Sequence, residues 1–486
     1  MDEPPQIDES DTPANSSCHE KMSGFDDLSR QATGDQERYY LVHSSFFEAL
    51  RNVVVCPTCF TDQVDLQFSS DRALACNVSI SCRICKTTTF SVPTSPRVRN
   101  RYDVNLRLVL ASKECGIPLA KLKRLLTIMN IPNVMHHKTY REISSQVRIA
   151  ATDAAKECMV TAAETIKGKY ESGEYQTNLV SPSGTLVVPS SYDGTWHKRG
   201  FSSHTGVGVA IHTDSGYVLD THVVSNYCVI CSKAPAKDSE HYDAWFQKHE
   251  NHQCNKNFEG TANAMETEAA KVIWSRSVAD RGLMYGSMLC DGDSKALTCV
   301  NDLEVYDIPV KKEDCVNHIA KRIFNSLTTL KNNHKKQLNR KLTLAKMKKI
   351  TNTYATNLRR RAPDIQAMKI DVMGGLFHMM STDRDHNHKM CPLGEDSWCS
   401  YNRAIARGLP TPKHNPTLSS DIGQYVFPIF KRLTEEDLLK RCAKMLTQNA
   451  NESFNSTIWR RCDKEHFAHF PDVQTAVVLS VLNFNI

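Results

Sequence analysis

Three acidic residues, widely separated in a chain of 486, stand where a carboxylate can do chemistry. Asp193, in Ser190-Ser191-Tyr192-Asp193-Gly194-Thr195-Trp196, ends an apolar strand-like run and is followed by glycine, which puts a carboxylate at a sheet edge with open backbone around it. Asp291, in Leu289-Cys290-Asp291-Gly292-Asp293, repeats that pattern; Asp293 is the alternative, since two residues along a strand return to the same face. Glu452 lies in Asn449-Ala450-Asn451-Glu452-Ser453-Phe454-Asn455 and reads as the opening of the last helix. Taken singly, an Asp-Gly pair is a turn signal. Taken together, converging carboxylates would repel one another unless divalent metal neutralised them. Two such ions roughly 3.5–4 Å apart can polarise a phosphodiester and activate a water or a 3′-hydroxyl. The chemistry expected is therefore Mg²⁺- or Mn²⁺-dependent phosphoryl transfer.

The secondary structure expected around these acids has a recognisable order. Leu186-Val187-Val188 leads to Asp193, and the runs 207–211 and 218–224 form a hairpin across Asp214-Ser215-Gly216. A helix over about 264–281, a strand over 285–290 ending at Asp291, a strand over 308–311 and a helix over about 315–330 come next. This order fits an α/β, RNase H-like core.

Upstream, residues 41–98 carry two Cys-x-x-Cys knuckles, Cys56/Cys59 and Cys82/Cys85, with strand-like runs between them. Two such pairs complete a tetrahedral Cys₄ site, so a zinc ribbon is expected, with Cys76 a spare, buried thiol. Residues 99–180 turn helical around Gly116-Ile117-Pro118 and Ile131-Pro132, with a long helix over about 139–166; a small bundle of this kind is structural or DNA-binding. Residues 1–40 hold ten acidic and three basic side chains and few large apolar ones, the signature of a disordered leader.

The remaining charge is basic. The net charge is +6, and residues 331–361 hold 11 Lys/Arg and no acid, so a basic helix facing nucleic-acid phosphate is expected, with Arg359, Arg360 and Arg361 as contacts. Lys198 and Arg199 are candidate phosphate contacts beside the inferred site, whereas Trp196 and His197 read as strand-end packing, the alternative being a stack on a flanking base. The 18 cysteines, with no basic-then-apolar leader, suit metal binding in a reducing compartment. No apolar run approaches the ~20 residues of a membrane span.

The segments Asp193-Gly194-Thr195-Trp196-His197-Lys198-Arg199-Gly200-Phe201, Asp291-Gly292-Asp293-Ser294-Lys295, Cys315-Val316-Asn317-His318 and residues 447–455 resemble the Mutator-like transposase domain of animal DNA transposons. The resemblance runs from about residue 50 to the C-terminus. It implies a DDE catalytic core holding Asp193, Asp291 and Glu452 as its metal-binding triad, interrupted before the last acid by a largely helical insertion. It also implies cleavage and strand transfer of double-stranded DNA in the nucleus, by a homo-oligomer on paired ends. Cys315 and His318 resemble the family's Cys/His signature after the second acid, which implies a secondary site near the triad or a metal-ligand pair completed elsewhere; the alternative is a packed helix start.

Two further zinc clusters are expected. Cys228 and Cys231 are followed by His249, His252 and Cys254; the family pattern favours His249 with Cys254, and His252 is the runner-up. The second comprises His378, His388, Cys391 and Cys399. The domain plan expected is thus a leader (1–40), zinc ribbon (41–98), helical bundle (99–180), first part of the core (181–330) with a zinc insert about 228–254, basic helical insertion (331–445) and last catalytic helix (446–486). The rival readings are a domesticated, transposase-derived DNA-binding protein without transposition, and a nuclease acting on RNA–DNA hybrid.

Overall fold

The computed structural model describes residues 39–131, 135–175, 179–198, 203–291, 295–465 and 467–485. The acidic leader therefore lies outside the described residues except at 39 and 40.

Helix α1 (Ser44–Arg51) precedes a three-stranded antiparallel sheet of β1 (Val64–Arg72), β2 (Ala75–Cys82) and β3 (Thr88–Pro93). Val64 pairs with Cys82, so the two cysteine knuckles meet at one end of the sheet. The knuckles share one backbone design. In each, the residue after the second cysteine (Phe60, Lys86) is left-handed and donates its N–H to the carbonyl of the first (2.8 and 2.9 Å).

A short hairpin, β4 (Arg97–Val98) and β5 (Arg101–Tyr102), leads to α2 (Asp103–Glu114), α3 (Leu119–Ile128) and α4 (His137–Glu171). Val109, Leu122, Leu126, Tyr140 and Ile143 form their common core. The 35-residue α4 then runs on into the next unit. Its small residues Ala151, Ala155 and Ala163 let it lie close to its neighbours, and Ile166 and Tyr170 pack on the central sheet. Segment 99–180 is thus packed continuously with that sheet.

The central sheet contains β6 (Leu179–Val180), β7 (Leu186–Trp196), β8 (Thr205–His212), β9 (Val218–Ser225), β10 (Leu283–Cys290) and β11 (Lys311–Asp314). The order is β11-β10-β7-β8-β9, with β6 on β7; β7, β10 and β11 are mutually parallel and β7-β8-β9 antiparallel. Between β9 and β10 lie α5 (Tyr242–His249) and α6 (Ala264–Arg281), and between β10 and β11 lies α7 (Lys295–Asp302). Every residue of β8 is buried. Glycine at 208 permits this: a Cβ there would stand 2.5 Å from the Ala269 Cβ of α6. The strand expected over 308–311 instead begins at Lys311, because Pro309 has no N–H and the Asn301 side chain takes both backbone polar groups of Val310 (2.9 and 3.1 Å).

A helical unit comes next: α8 (Val316–Asn333), α9 (Lys335–Leu338), α10 (Leu344–Arg360), α11 (Ile365–Met380), α12 (Ser400–Ala406), α13 (Ser420–Leu433) and α14 (Glu436–Cys442). Its core includes Ile319, Ile323, Ile350, Tyr354, Val372 and Phe430. The basic stretch 331–361 is therefore not one helix. It breaks at His334 and again before Thr343, whose hydroxyl caps α10. Leu338, Leu342, Met347, Ile350, Tyr354 and Leu358 bury one side and leave the charges on the other. The chain returns to the sheet through α15 (Asn449–Arg461) and α16 (Phe470–Phe484), the latter packing on α4 and β9. Where the helical unit leaves and rejoins the sheet, the buried Asp314 is held by Arg441 (2.6 Å), Lys444 meets Glu313 (2.7 Å), and the Val316 N–H donates to the Leu446 carbonyl (3.1 Å). Among the described residues no helix is long and apolar enough to cross a membrane.

Candidate active site and metal centres

Asp193 lies on the central strand β7, paired opposite Val209 of β8. Leu289 of the parallel β10 pairs with Ser191, so Asp291, two residues further on, comes level with Asp193. The third acid is brought by α15, which lies across the strand on one polar face. Gln448 donates to the Tyr192 carbonyl (2.9 Å), Asn451 to the Val209 carbonyl (3.3 Å), Asn455 to Asp193 Oδ2 (2.7 Å) and Trp459 to Thr195 Oγ1 (2.8 Å). The positions 448, 451, 455 and 459 follow the helical repeat, and Glu452 in the first turn is carried with them.

Between two of the acids stands His318, in the first turn of α8. Its Nδ1 is 3.5 Å from Asp291 Oδ2 and its Nε2 is 3.7 Å from Glu452 Oε1. Lys321 approaches Glu452 (3.6 Å) and Arg322 approaches Asp291 (3.7 Å). A fourth acid, Glu266 of α6, flanks Asp193, and a Cβ at Gly194 would come within 2.7 Å of the Glu266 Cγ, so a side chain there would push Glu266 aside. Burial, then the charges of Glu266, Glu452 and Asp291, push the Asp193 carboxyl up to about 7. Among the described residues, four side-chain sets bring their ligand atoms within 4.8 Å of one another, and the three acids are not one of these. The His318 ring occupies the space between Asp291 and Glu452.

The other residues expected at the site take several different positions. Asp293 and Arg199 lie outside the described residues. Lys198 is exposed. Trp196 donates to the Ala262 carbonyl (2.8 Å), and the His197 ring lies against Trp459, so both are engaged in packing as expected. Cys315 is buried as the N-cap residue of α8; its carbonyl accepts the His318 N–H (3.0 Å), and its thiol belongs to none of the four ligand sets. Arg359 donates to Asn317 (2.8 Å), one residue from His318. Arg360 lies over the Trp398 ring, and Arg361 pairs with the buried Asp371 (3.2 Å). Sequence reasoning missed Glu266, Gln448 and Asn455 as members of the site. Gln448 and Asn455 stand in the segment around Glu452 and carry their signal in its helical spacing; a lone Glu on α6 carries none.

Three of the ligand sets contain cysteine. Cys56, Cys59, Cys82 and Cys85 form the first, with the Thr58 and Cys85 N–H groups donating to Cys56 and Cys82 Sγ (3.4 and 3.3 Å). Cys76 lies outside it and is partly exposed rather than buried. The second comprises Cys228, Cys231, His252 and Cys254, which corrects the expectation of His249. The His249 ring stacks on Trp245 at the end of α5, with Nδ1 2.8 Å from the Trp245 carbonyl. His252 faces its own Nδ1 to the His249 carbonyl (2.5 Å), which leaves Nε2 toward Cys228 and Cys231 (3.5 and 3.3 Å). The third brings together His378, His388, Cys391 and Cys399, with Cys399 Sγ 3.5 Å from Nδ1 of each imidazole. These thiol and imidazole donors suit zinc.

A family model described as Mutator-like transposase matches residues 39–399. No curated protein and no solved structure matches the chain. The matched span takes in Asp193, Asp291, His318 and the three cysteine-containing sets, while Glu452 and the α15 face that docks it lie beyond its end. With 361 of its 486 residues inside that match, the chain belongs to the Mutator-like transposase family.

Proposed function

We propose that this protein is a nuclear DNA transposase whose sheet and α15 form an RNase H-like DDE core, with Asp193, Asp291 and Glu452 holding Mg²⁺ or Mn²⁺ and the helical unit α8–α14 as its insertion. Zinc in the cysteine-containing sets is structural in this reading, and the active form is a homo-oligomer on paired transposon ends. The observation that carries it is the gathering of carboxylates at one sheet margin, where burial first and then the charges of Glu266, Glu452 and Asp291 raise the pKa of Asp193. An all-carboxylate donor set of this kind suits a hard cation. Bound there, the ion would activate the attacking oxygen and stabilise the leaving one.

The chain's own residues do the rest. Asn455 holds Asp193 in one orientation by donating to Oδ2. His318 keeps Asp291 and Glu452 apart, and must turn aside for both to share a cation. Lys321 offers charge to a phosphate beside the acids, and the exposed Lys198, just past the end of β7, offers it further along the DNA. Hydrolysis breaks a P–O3′ bond at the element's end, and the freed 3′-hydroxyl then attacks a target phosphodiester with no covalent protein intermediate.

The test is cleavage of DNA carrying the element's own terminal repeats, in Mg²⁺. Glu452→Gln should lower the rate at least ~100-fold while leaving DNA affinity intact. Cleavage by Glu452→Gln at the wild-type rate would remove Glu452 from the site. Binding without cleavage by the wild-type chain would favour the domesticated reading.

The basic residues separate into distinct roles under this proposal. Arg359→Ala, beside the site, should flatten the dependence of log K on log salt by about 0.9, one phosphate contact. Arg361→Ala should leave that slope unchanged and cost about 2 kcal/mol of stability, because Asp371 loses its charged partner. Equilibrium binding across a salt series, with denaturant melts of both variants, checks the pair.

A further inference from the structure

We propose that His388 bridges two metal ions, one on the thiol side with His378, Cys391 and Cys399, and a second held with His386 and His414. The imidazole belongs to both ligand sets: the ring nitrogens of His386, His388 and His414 also lie within 4.8 Å of one another. Its Nδ1 faces Cys399 and Cys391 (3.5 and 3.8 Å). Its Nε2 is buried and has no hydrogen-bond partner among the described residues, a position that calls for a ligand.

The surrounding rings are held in place for this. His388 stacks on Tyr401 with centroids 4.3 Å apart, and His386 stacks on the same ring at 4.9 Å. Asp383 accepts the backbone N–H of His414 (2.7 Å) and so fixes the His414 backbone beside the other two rings, while His414 Nδ1, 3.5 Å from the same carboxylate, is buried with no hydrogen-bond partner among the described residues. Three imidazoles without an acid suit a borderline ion such as Zn²⁺ rather than Mg²⁺. They leave a fourth position for water or another ligand. When both nitrogens of His388 coordinate, its remaining N–H proton passes to solvent, and the ring bridges as an imidazolate. The inference rests on the thiol set holding metal but not on the carboxylate site, so loss of strand cleavage would not bear on it.

The full-length chain, stripped of metal and reloaded at a buffered free Zn²⁺ concentration, tests this by ion content per chain. His386 is exposed, so His386→Ala should fold normally and bind one ion fewer than wild type. Equal zinc content in the two proteins would overturn the second site. With Co²⁺ in place of Zn²⁺, wild type should show the paramagnetic signature of two coupled ions, and His386→Ala that of isolated ones. One ion fewer with no change in coupling would overturn the bridge. His414→Asn should repeat the result of His386→Ala, and full metal content in that variant would also count against the site.

Discussion

Asp193→Asn is expected to abolish Mg²⁺-dependent cleavage, by on the order of 10³-fold, and at the same time to make the metal-free protein more stable at neutral pH. The two effects share one cause. An unfolded Asp titrates near 3.9, whereas burial and the charges of Glu266, Glu452 and Asp291 move Asp193 to about 7. Between these values the folded protein binds a proton that the unfolded chain has released. Stability therefore falls as pH rises from about 4 to about 7, and the loss is complete above 7. Three pH units correspond to at most about 4 kcal/mol, reduced by whatever solvent reaches the partly exposed residue. Asparagine removes the charge, so the melting temperatures of variant and wild type should coincide near pH 4 and separate by pH 7.5. Mg²⁺ should then raise the wild type toward the variant and leave the variant unmoved. Parallel melting curves across this pH range would show that Asp193 is not under the strain assigned to it.

The second large effect is expected at the amino-terminal ribbon. Among the described residues its buried apolar cluster is Val64 with Cys56 and Cys82, with the partly buried Val54 and Ile80 packed against it, too little to order a sheet of three strands. Left-handed Phe60 and Lys86 add roughly 1–2 kcal/mol each of backbone cost. Zinc binding in small modules supplies roughly 10–16 kcal/mol, enough to reverse that balance. Cys82→Ser, or a strong chelator, should unfold β1–β3, read as loss of amide-exchange protection over residues 64–93. Protection in β7 and β8 should survive Cys82→Ser, because their core is formed by α4, α6 and α16. Cys76→Ser should change neither region. Retention of ribbon protection in Cys82→Ser would show that the sheet stands without its thiols.

Much of this architecture was legible because its signals are local. The apolar run into Asp193, the hairpin around Gly216 and the helix Ala264–Arg281 follow from period and turn chemistry, and the observed elements agree with them. The knuckles declared their ligand set by spacing alone. What escaped depends on contacts across the chain. Nothing in Glu266 distinguishes it from a solvated helix residue until Gly194 is seen against it. His249 and His252 are equivalent by spacing, and only the stacking of His249 on Trp245 separates them. The basic run looked unbalanced along the sequence because its counter-charges are distant: Asp421 for Lys341 and Asp371 for Arg361.

The joining of Asp314 to Arg441, Glu313 to Lys444 and Val316 to Leu446 has a consequence for how such a protein can change. A segment whose two ends are stitched together behaves as a side chamber off a single doorway. Whatever is enlarged, trimmed or rewritten inside it, α15 still arrives at the sheet over the same threshold, so the module can change without moving the helix that carries Glu452.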